Sequence, residues 1–291
     1  MRLVVVIPTL GRQEQVSRLL IHLARQHRLP DAAVISASNA DDVPAQPFAA
    51  AFPVSVVLGP RGLSTQRNRA LERTLGRFDV ITFFDDDFIP ADDYLARICA
   101  AFAEHPDWAV VMGNVVRDGA STAGLDWQEG LDALCEPPPN PESPPEIVHH
   151  LGAYGCNMSI RARLVGDLRF DERLALYGWQ EDVDFTSRLR RRGAVVAVSN
   201  IRGVHLGTKS GRVSGERFGY SQVANPIYLI RKGSVPAGFA LRLIGRNVAA
   251  NLLGSIRPEP HIDRRGRLRG NIRALAHVLT GRIEPEYIMN I

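Results

Sequence analysis

Over the first two hundred positions, short apolar runs alternate with polar segments rich in Gly and Pro, and the apolar spacing switches between two periods. Leu3 to Ile7 is a continuous, mostly β-branched run, the pattern of a strand buried on both faces of a parallel sheet. Pro8-Thr9-Leu10-Gly11-Arg12 closes it with turn residues, after which Val16, Leu19, Leu20, Leu23 and Ala24 recur at helical spacing. Ala33 to Ser36 predicts a second strand, ending in the polar loop Ser38-Asn39-Ala40-Asp41-Asp42. Val54 to Leu58 predicts a third. Gly59-Pro60-Arg61-Gly62 punctuates it, and Ser64 is placed to cap a helix running to about Leu75. Val80-Ile81-Thr82-Phe83-Phe84 predicts a fourth buried strand. A helix is expected from about Ala91 to Glu104, with Pro90 suiting its start, then a strand around Ala109 to Met112. Strands alternating with helices, each strand followed by a polar loop, predict an α/β fold with a Rossmann-like, mixed but mostly parallel sheet and helices on both faces.

Further along, the pattern loosens. Gly119 to Gly130 is small and polar, and Pro137 to Pro145 holds too many prolines for regular helix or a central strand, so it reads as a surface excursion or connector. Leu151 to Ile160 is apolar but glycine-rich, suiting either the floor of a site or a bulged strand. Gly178-Trp179-Gln180-Glu181-Asp182-Val183-Asp184 leads into a helical stretch, Thr186 to Arg192, stopped by Gly193. Val195 to Val198 predicts a further strand, followed by Gly203-Val204-His205-Leu206-Gly207. In the last segment Leu241, Ile244, Val248 and Leu252 are expected on one helical face, with Arg242, Arg246 and Asn247 elsewhere.

Composition adds boundaries. The 291 residues are 45% hydrophobic and 23% charged, as expected of a globular protein with a substantial core. Cys99, Cys135 and Cys156 are scattered and odd in number, which argues against a zinc site or a disulfide framework and fits a reducing compartment. The apolar run after Met1 is too short for a signal peptide and no stretch is long enough to span a bilayer, so a cytoplasmic protein is expected. The net charge of +4 is unevenly placed: from Ile201 onward there are fifteen Lys/Arg against five Asp/Glu. With Arg264, Arg265, Arg267, Arg269 and Arg273 clustered, this tail suits contact with an anionic membrane surface. A helix packed on the catalytic domain with a solvated basic rim is the equal alternative. Nucleic acid is disfavoured, since no known module or interleaved aromatics accompany the charges.

The chemistry concentrates in three places. Asp85-Asp86-Asp87 follows the fourth strand directly, where adjacent carboxylates need a neutralising cation. A hard ion such as Mn²⁺ or Mg²⁺ fills that need with oxygen ligands while keeping positions open for phosphate. The carboxyl end of a strand is also where open α/β sheets bind ligands. The plainer alternative is an acidic loop capping the next helix. Glu181, Asp182 and Asp184 beside Trp179 exceed what a helix start needs. His205, between apolar neighbours, is either a ligand or a hydrogen-bonded structural histidine.

Taken in order, Val6-Ile7-Pro8-Thr9, Gly62 with Gln66-Arg67-Asn68-Arg69-Ala70, Asp85-Asp86-Asp87, Gly155-Cys156-Asn157-Met158 and Trp179-Gln180-Glu181-Asp182 resemble the motifs of the inverting glycosyltransferases of family 2, which have the GT-A fold and use nucleotide-diphosphate sugars. The resemblance covers about residues 3 to 207, and Asp85–Asp87 stands where the family has its DxD motif. It implies a nucleotide pocket involving Pro8, Thr9, Arg12, Arg67, Asp85 and Asp86. It implies metal ligation by Asp85, Asp87 and His205. Asp182 is implied as the general base, with Glu181 on the acceptor and Asp184 as the residual alternative base. Asn157 and Trp179 are implied beside the sugars, and Tyr154 is a further stacking candidate. The family's base-contacting Asp after the second strand has no clear counterpart, leaving Asn39 or Asp41; uridine is the default base, with thymidine or guanosine as alternatives. The end of the chain, Leu279 to Glu286, is similar to those of bacterial family members that build surface polysaccharide.

The expected protein therefore has a catalytic domain over 1–210 (a nucleotide-binding half, 1–115, and an acceptor-binding half, 116–210) and a basic, largely helical extension over 211–291. Its expected activity is metal-dependent transfer from a nucleotide-diphosphate sugar to a saccharide or lipid-linked saccharide, polyprenyl-linked by preference. A sugar-1-phosphate nucleotidyltransferase would need a Gly-rich phosphate loop after the first strand, for which Gly11-Arg12 is a poor stand-in. A dehydrogenase would need GxGxxG there. A non-catalytic sugar-binding subunit would be expected to lose the acids, and a two-carboxylate hydrolase would act without a nucleotide sugar.

Overall fold

A computed structural model describes residues 1–48, 50–137, 143–210 and 213–291. Among these, nine strands form one sheet. They are β1 (Leu3–Thr9), β2 (Ala32–Ala37), β3 (Val54–Leu58), β4 (Val80–Phe83), β5 (Phe88–Pro90), β6 (Trp108–Asp118), β7 (Ile147–His149), β8 (Met158–Arg161) and β9 (Ala194–His205). Their order is β3-β2-β1-β4-β8-β6-β9-β5, with β7 beside β9. β3, β2, β1 and β4 run parallel, as do β6 and β9, while β8 is antiparallel to both β4 and β6. The apolar runs of β1 and β4 are buried throughout, as a strand covered on both faces must be.

Successive side chains of β1 serve opposite faces. Leu3, Val5 and Ile7 join a core with Val16, Leu19, Leu20 and Leu23 of α1 (Gln13–Leu23) and Leu95, Ile98 and Phe102 of α3 (Tyr94–Glu104). Val4 and Val6 join the opposite core with Ala70 and Leu71 of α2 (Leu63–Thr74) and Phe185 and Leu189 of α5 (Glu181–Leu189). This is the Rossmann-like α/β arrangement that the hydrophobic pattern predicts.

Several boundaries differ from the sequence expectation. Pro90 does not start a helix: Phe88–Pro90 pairs antiparallel with β9, and α3 begins four residues later. Proline, which has no N–H to donate, is tolerated there because β5 is the edge strand of the sheet. Ser64 lies inside α2, behind Gly62 as the capping residue. The polar stretch around Gly119 to Gly130 leads into a short helix, α4 (Trp127–Cys135), whose start is secured by a reciprocal pair: the Asp126 carboxylate accepts from the Glu129 N–H, and Glu129 accepts from the Asp126 N–H. Strand β9 extends to His205, which is its last residue rather than one beyond it. Of the proline-rich excursion, residues 138–142 lie outside the described residues.

Three helices complete the chain: α6 (Gly215–Lys232), α7 (Ala237–Ile256) and α8 (Arg264–Leu279). α6 and α8 touch backbone to backbone, since a Cβ on Gly219 would lie 2.0 Å from the Arg267 carbonyl oxygen. Tyr220, Val223, Ile244 and Ala274 pack between the three helices, beside a buried amide chain in which Asn251 donates to Gln222 and Asn271 and Asn271 donates to the Gly219 carbonyl. Leu241 and Leu252, expected on the packing face of α7 with Ile244 and Val248, are instead exposed at 56% and 52%. The buried positions Ala240, Ile244 and Asn251 lie on the adjoining side of the helix.

Candidate active site

The sheet register assembles the acidic centre. β1 and β4 run in parallel, so both end at one edge, and Thr9 Oγ1 donates to Asp86 at 2.7 Å. β5 pairs antiparallel with β9 so that His205 lies opposite Phe88, one residue after Asp87. β6 runs parallel to β9, pairing Asp118 with His205. Four chain segments far apart in sequence thereby meet at one corner of the sheet.

At that corner His205 Nδ1 donates to the Asp118 carboxylate at 2.9 Å, and Nε2 lies 3.4 Å from Asp87. The Tyr154 hydroxyl donates to the other Asp118 oxygen at 3.0 Å. One donor atom each from Asp85, Asp87 and His205 falls within 4.8 Å of the others, a spacing that two carboxylate oxygens and an imidazole nitrogen need to share one divalent cation. The Asp118 contact strengthens the fit, because an imidazole anchored through Nδ1 presents Nε2 as a ligand. Asp118 and Tyr154 thus support the cluster. Asp118 went unmarked in the sequence, although it ends a strand as Asp85 to Asp87 nearly do.

Charge is finely divided here. Burial pushes the Asp87 carboxyl up, but the His205 hydrogen bond and charge, Arg12 and the Thr208 N–H (2.7 Å) outweigh it and hold Asp87 below the carboxylate range. Asp86 goes the other way: burial, aided by Asp87, pushes it up to about 7 against the pull of Arg12. Burial disfavours the His205 imidazolium, yet Asp118 and Asp87 more than compensate and raise it to about 10. Without a metal, therefore, His205 and Arg12, with Arg67 on Asp85, are the cations that make the acidic turn tolerable.

Arg12 does not reach into open space. Its Nη1 donates to Asp86 at 2.8 Å, and Nη2 donates to the Thr208 and Ser210 carbonyls, clamping the segment after β9 over the acidic turn. Pro8 and Thr9 end β1 beside it, and Gln66 Nε2 donates to the Thr9 carbonyl at 2.7 Å. In the loop after β2, Asp41 is exposed, while the neighbouring Asp42 is buried and accepts from the Gly11 and Asn39 N–H groups. Asp42 thus ties the first two loops together.

A second convergence centres on Arg67, which is fully buried on α2. Its guanidinium forks to Glu181, to Asp85 at 3.1 Å and to the Gly155 carbonyl at 2.8 Å, and it faces the rings of Phe83 and Phe170. The same Gly155 donates its N–H to Asp182 Oδ2 at 2.7 Å, while Asp182 Oδ1 accepts from the Val183 N–H. A Cβ there would lie 2.8 Å from Arg67 Nη1 and 2.9 Å from Asp182 Oδ2, so any larger residue would displace the two groups that Gly155 joins. Burial raises the Asp182 pKa, opposed by Arg67 and by the two N–H donors. Burial also raises Glu181 well above its usual range, against Arg67. Glu181 and Asp182 occupy the first turn of α5, where helix N–H groups favour anions. The preceding loop holds Leu176, Gly178 and Gln180 in left-handed backbone conformations, and Leu176 and Gln180 do so without being glycine. Such conformations persist where surrounding structure fixes them, often beside a functional site.

Asp85, Asp182, Tyr154 and Trp179 line a cleft of about 1230 Å³. Its far wall comes from the C-terminal helices, through Phe218, Asn247, Arg264 and Arg267. Trp179 meets Phe218 edge-on at 5.9 Å, so the aromatic wall is built by both parts of the chain. Glu181 and Arg67 also line the cleft, whereas Pro8, Thr9, Arg12, Asn39, Asp41, Asp86, Asp87 and His205 do not. Asn157 is buried behind β6, donating to the Gly113 carbonyl at 2.9 Å. Asp184 points away from the cleft into an ion pair with Lys232 at 2.8 Å, and Ser234 donates to it. That commitment leaves Asp182 as the cleft-lining aspartate of the α5 first turn.

A Rossmann-like mixed sheet with an Asp-Asp-His cluster at its edge defines a GT-A glycosyltransferase. The chain belongs to glycosyl transferase family 2, whose sequence profile matches residues 4–161, more than half of it. A search of curated proteins by sequence gave no match. Among solved structures, the chain is similar to S. aureus TarS residues 1–349 (TM-score 0.57, 14% identity, 97% of this chain and 82% of that one). The TarS complex with UDP gives a TM-score of 0.55 at 16% identity, covering 100% of this chain and 87% of that one. It is also similar to the mannosyltransferase PcManGT from Pyrobaculum calidifontis in complex with GDP-Man and Mn²⁺ (TM-score 0.53, 15% identity, 99% and 85%). These similarities extend over the C-terminal helices as well as the sheet.

Proposed function

We propose that this chain is a metal-dependent inverting glycosyltransferase that moves a sugar from a nucleotide-diphosphate sugar to a hydroxyl of a saccharide acceptor, in the synthesis of cell-surface polysaccharide or glycolipid. UDP is the preferred nucleotide, with dTDP and GDP as alternatives. The carrying observation is that Asp182, with its raised pKa, lines one cleft with Asp85 of the Asp85–Asp87–His205 cluster. TarS bound to UDP and UDP-GlcNAc, and PcManGT bound to GDP-Man with Mn²⁺, support a nucleotide-sugar donor for this fold.

When bound at Asp85, Asp87 and His205, Mn²⁺ or Mg²⁺ supplies positive charge against the leaving diphosphate. Asp182 accepts the proton of the acceptor hydroxyl as its oxygen attacks the anomeric carbon. The bond to the diphosphate breaks on the opposite face, and the configuration inverts. The Gly155 N–H fixes the Asp182 carboxylate for this step, and Arg67 holds Gly155, Glu181 and Asp85 in place around it. Trp179 and Tyr154 supply the cleft with flat apolar faces suited to sugar rings. The break between β9 and α6 supports reading 1–210 as the catalytic domain and 211–291 as an extension that closes the acceptor side.

Replacing Asp182 by Asn keeps its shape but removes the base. Turnover is expected to fall by about 10²–10⁴-fold with nucleotide affinity unchanged. Near-normal turnover in Asp182→Asn would eliminate Asp182 as the base.

A further inference from the structure

The outer faces of α7 and α8 carry apolar residues that the fold leaves in water. On α7, Leu241, Ala249, Leu252, Leu253 and Ile256 are exposed, the last two at 67% and 74%. Leu241, Ala249, Leu252 and Ile256 share one face at helical spacing, adjoining the buried side of Ile244 and Asn251. On α8 the same happens at Ile272, Leu275 and Leu279, with Leu279 exposed at 89% and Leu268, half-buried, continuing the row. Positions three and four apart fall on one side of a helix, so this is a second continuous stripe.

Each stripe is flanked by arginine. Arg242 and Arg246 accompany the α7 stripe, and Arg265, Arg269 and Arg273 run along α8 at intervals of four; all five are exposed. Arg257 is exposed at the end of α7. Neither helix contains an acidic residue. A helix that buries one face and offers water a second apolar face edged with cations has the composition of an interfacial helix. No helix among the described residues is long and apolar enough to cross a membrane, which leaves lying on the surface as the mode of contact. The charge complement selects the occupant: a protein surface would have to match two rows of arginines with fixed acids, whereas anionic headgroups supply that charge at any register.

We infer that the α7–α8 outer face docks on an anionic lipid bilayer, with Leu252, Ile256, Ile272 and Leu279 entering the acyl boundary and the flanking arginines meeting the headgroups. Arg264 and Arg267, which line the cleft, lie on α8 on the other flank of the same stripe. Docking therefore sets the cleft rim at headgroup level, where the reacting group of a lipid-anchored acceptor would stand. The docking surface does not depend on the transferase reading, and its test uses no nucleotide.

The test is flotation of the full chain with vesicles of equimolar phosphatidylcholine and phosphatidylglycerol, against vesicles of phosphatidylcholine alone. Expected is at least tenfold stronger binding to the anionic vesicles. Binding should weaken severalfold between roughly 50 and 500 mM NaCl, as screening shortens the reach of the arginines. Ile256→Asp with Leu279→Asp should abolish flotation without changing the circular dichroism spectrum or Tm, because both side chains are in water already. Absence of binding to anionic vesicles at low salt would overturn the inference. So would a dimer seen by light scattering that those two substitutions dissociate, which would assign the face to a second copy of the chain.

Discussion

Asp182 and Arg67 show how single residues divide the work. Asp182 needs to be ionised to accept a proton, and burial holds its pKa above the ordinary carboxylate value of 3.8. A base at Asp182, as proposed, would therefore be present above that raised pKa and lost as pH falls through it. The pH profile of kcat should show an acidic limb that lies above 3.8 and follows one proton; a rate flat down to that value would contradict the assignment. Arg67 is the counter-charge for Glu181 and Asp85 in a site without water access to its guanidinium. Removing it in Arg67→Met should cost about 3–5 kcal/mol by urea denaturation, the usual penalty for stranding a buried charge. A loss below about 1 kcal/mol would show that the carboxylates simply protonate. The sequence marks Asp85 to Asp87, Asp182 and His205 because acids at a strand end and before a helix are chemically expensive. It does not mark Asp118 or the clamp made by Arg12. Their roles come from pairing between β6 and β9 and from a loop nearly two hundred residues away, and no local pattern encodes either.

At the scale of elements, α5 is held from two sides. Its first turn faces the cleft, while Asp184 on its buried side pairs with Lys232, which also reaches Asp171. Lys232→Met should lower stability by about 3 kcal/mol, since it leaves the largely buried Asp171 without its cation and Asp184 with Arg188 alone. Burial pushes the Asp171 carboxyl up, but Lys232 and Tyr228 more than compensate and depress it. A depressed carboxyl stabilises the fold above its unfolded pKa and loses that contribution as pH falls through its folded value. The Tm difference between wild type and Lys232→Met should accordingly be full at neutral pH and shrink below about pH 4. An equal difference at both ends would place the effect in packing alone. The strands and helices up to α3 are legible because their apolar periods are clean. α4 is less so, being short with a polar approach. Pro90 misleads because proline suits both a helix start and the end of a strand, and only the pairing with β9 decides between them.

Across the whole molecule, the C-terminal helices do more than follow the catalytic sheet. They supply the far wall of the cleft, and α6 and α8 meet backbone to backbone at Gly219 and Gly270. The basic excess of this region is plain in the sequence. Its two-sided character is not: Leu241 and Leu252 share a helical spacing with Ile244 and Val248, and only packing shows that the first two face water. The helix-packing and membrane readings of the tail are compatible for this reason, since one side of α7 is buried and an adjoining apolar side is left exposed.

The central claim, that the Asp85–Asp87–His205 corner serves a nucleotide diphosphate with a divalent cation, is tested most directly by calorimetric titration. Wild type and Asp87→Ala would each be titrated with UDP, dTDP and GDP, in Mn²⁺ and again in EDTA. Binding of one nucleotide, UDP by preference, is expected with Mn²⁺ and should be lost in EDTA and in Asp87→Ala. No binding of any of the three to folded wild type with Mn²⁺ present would contradict the account.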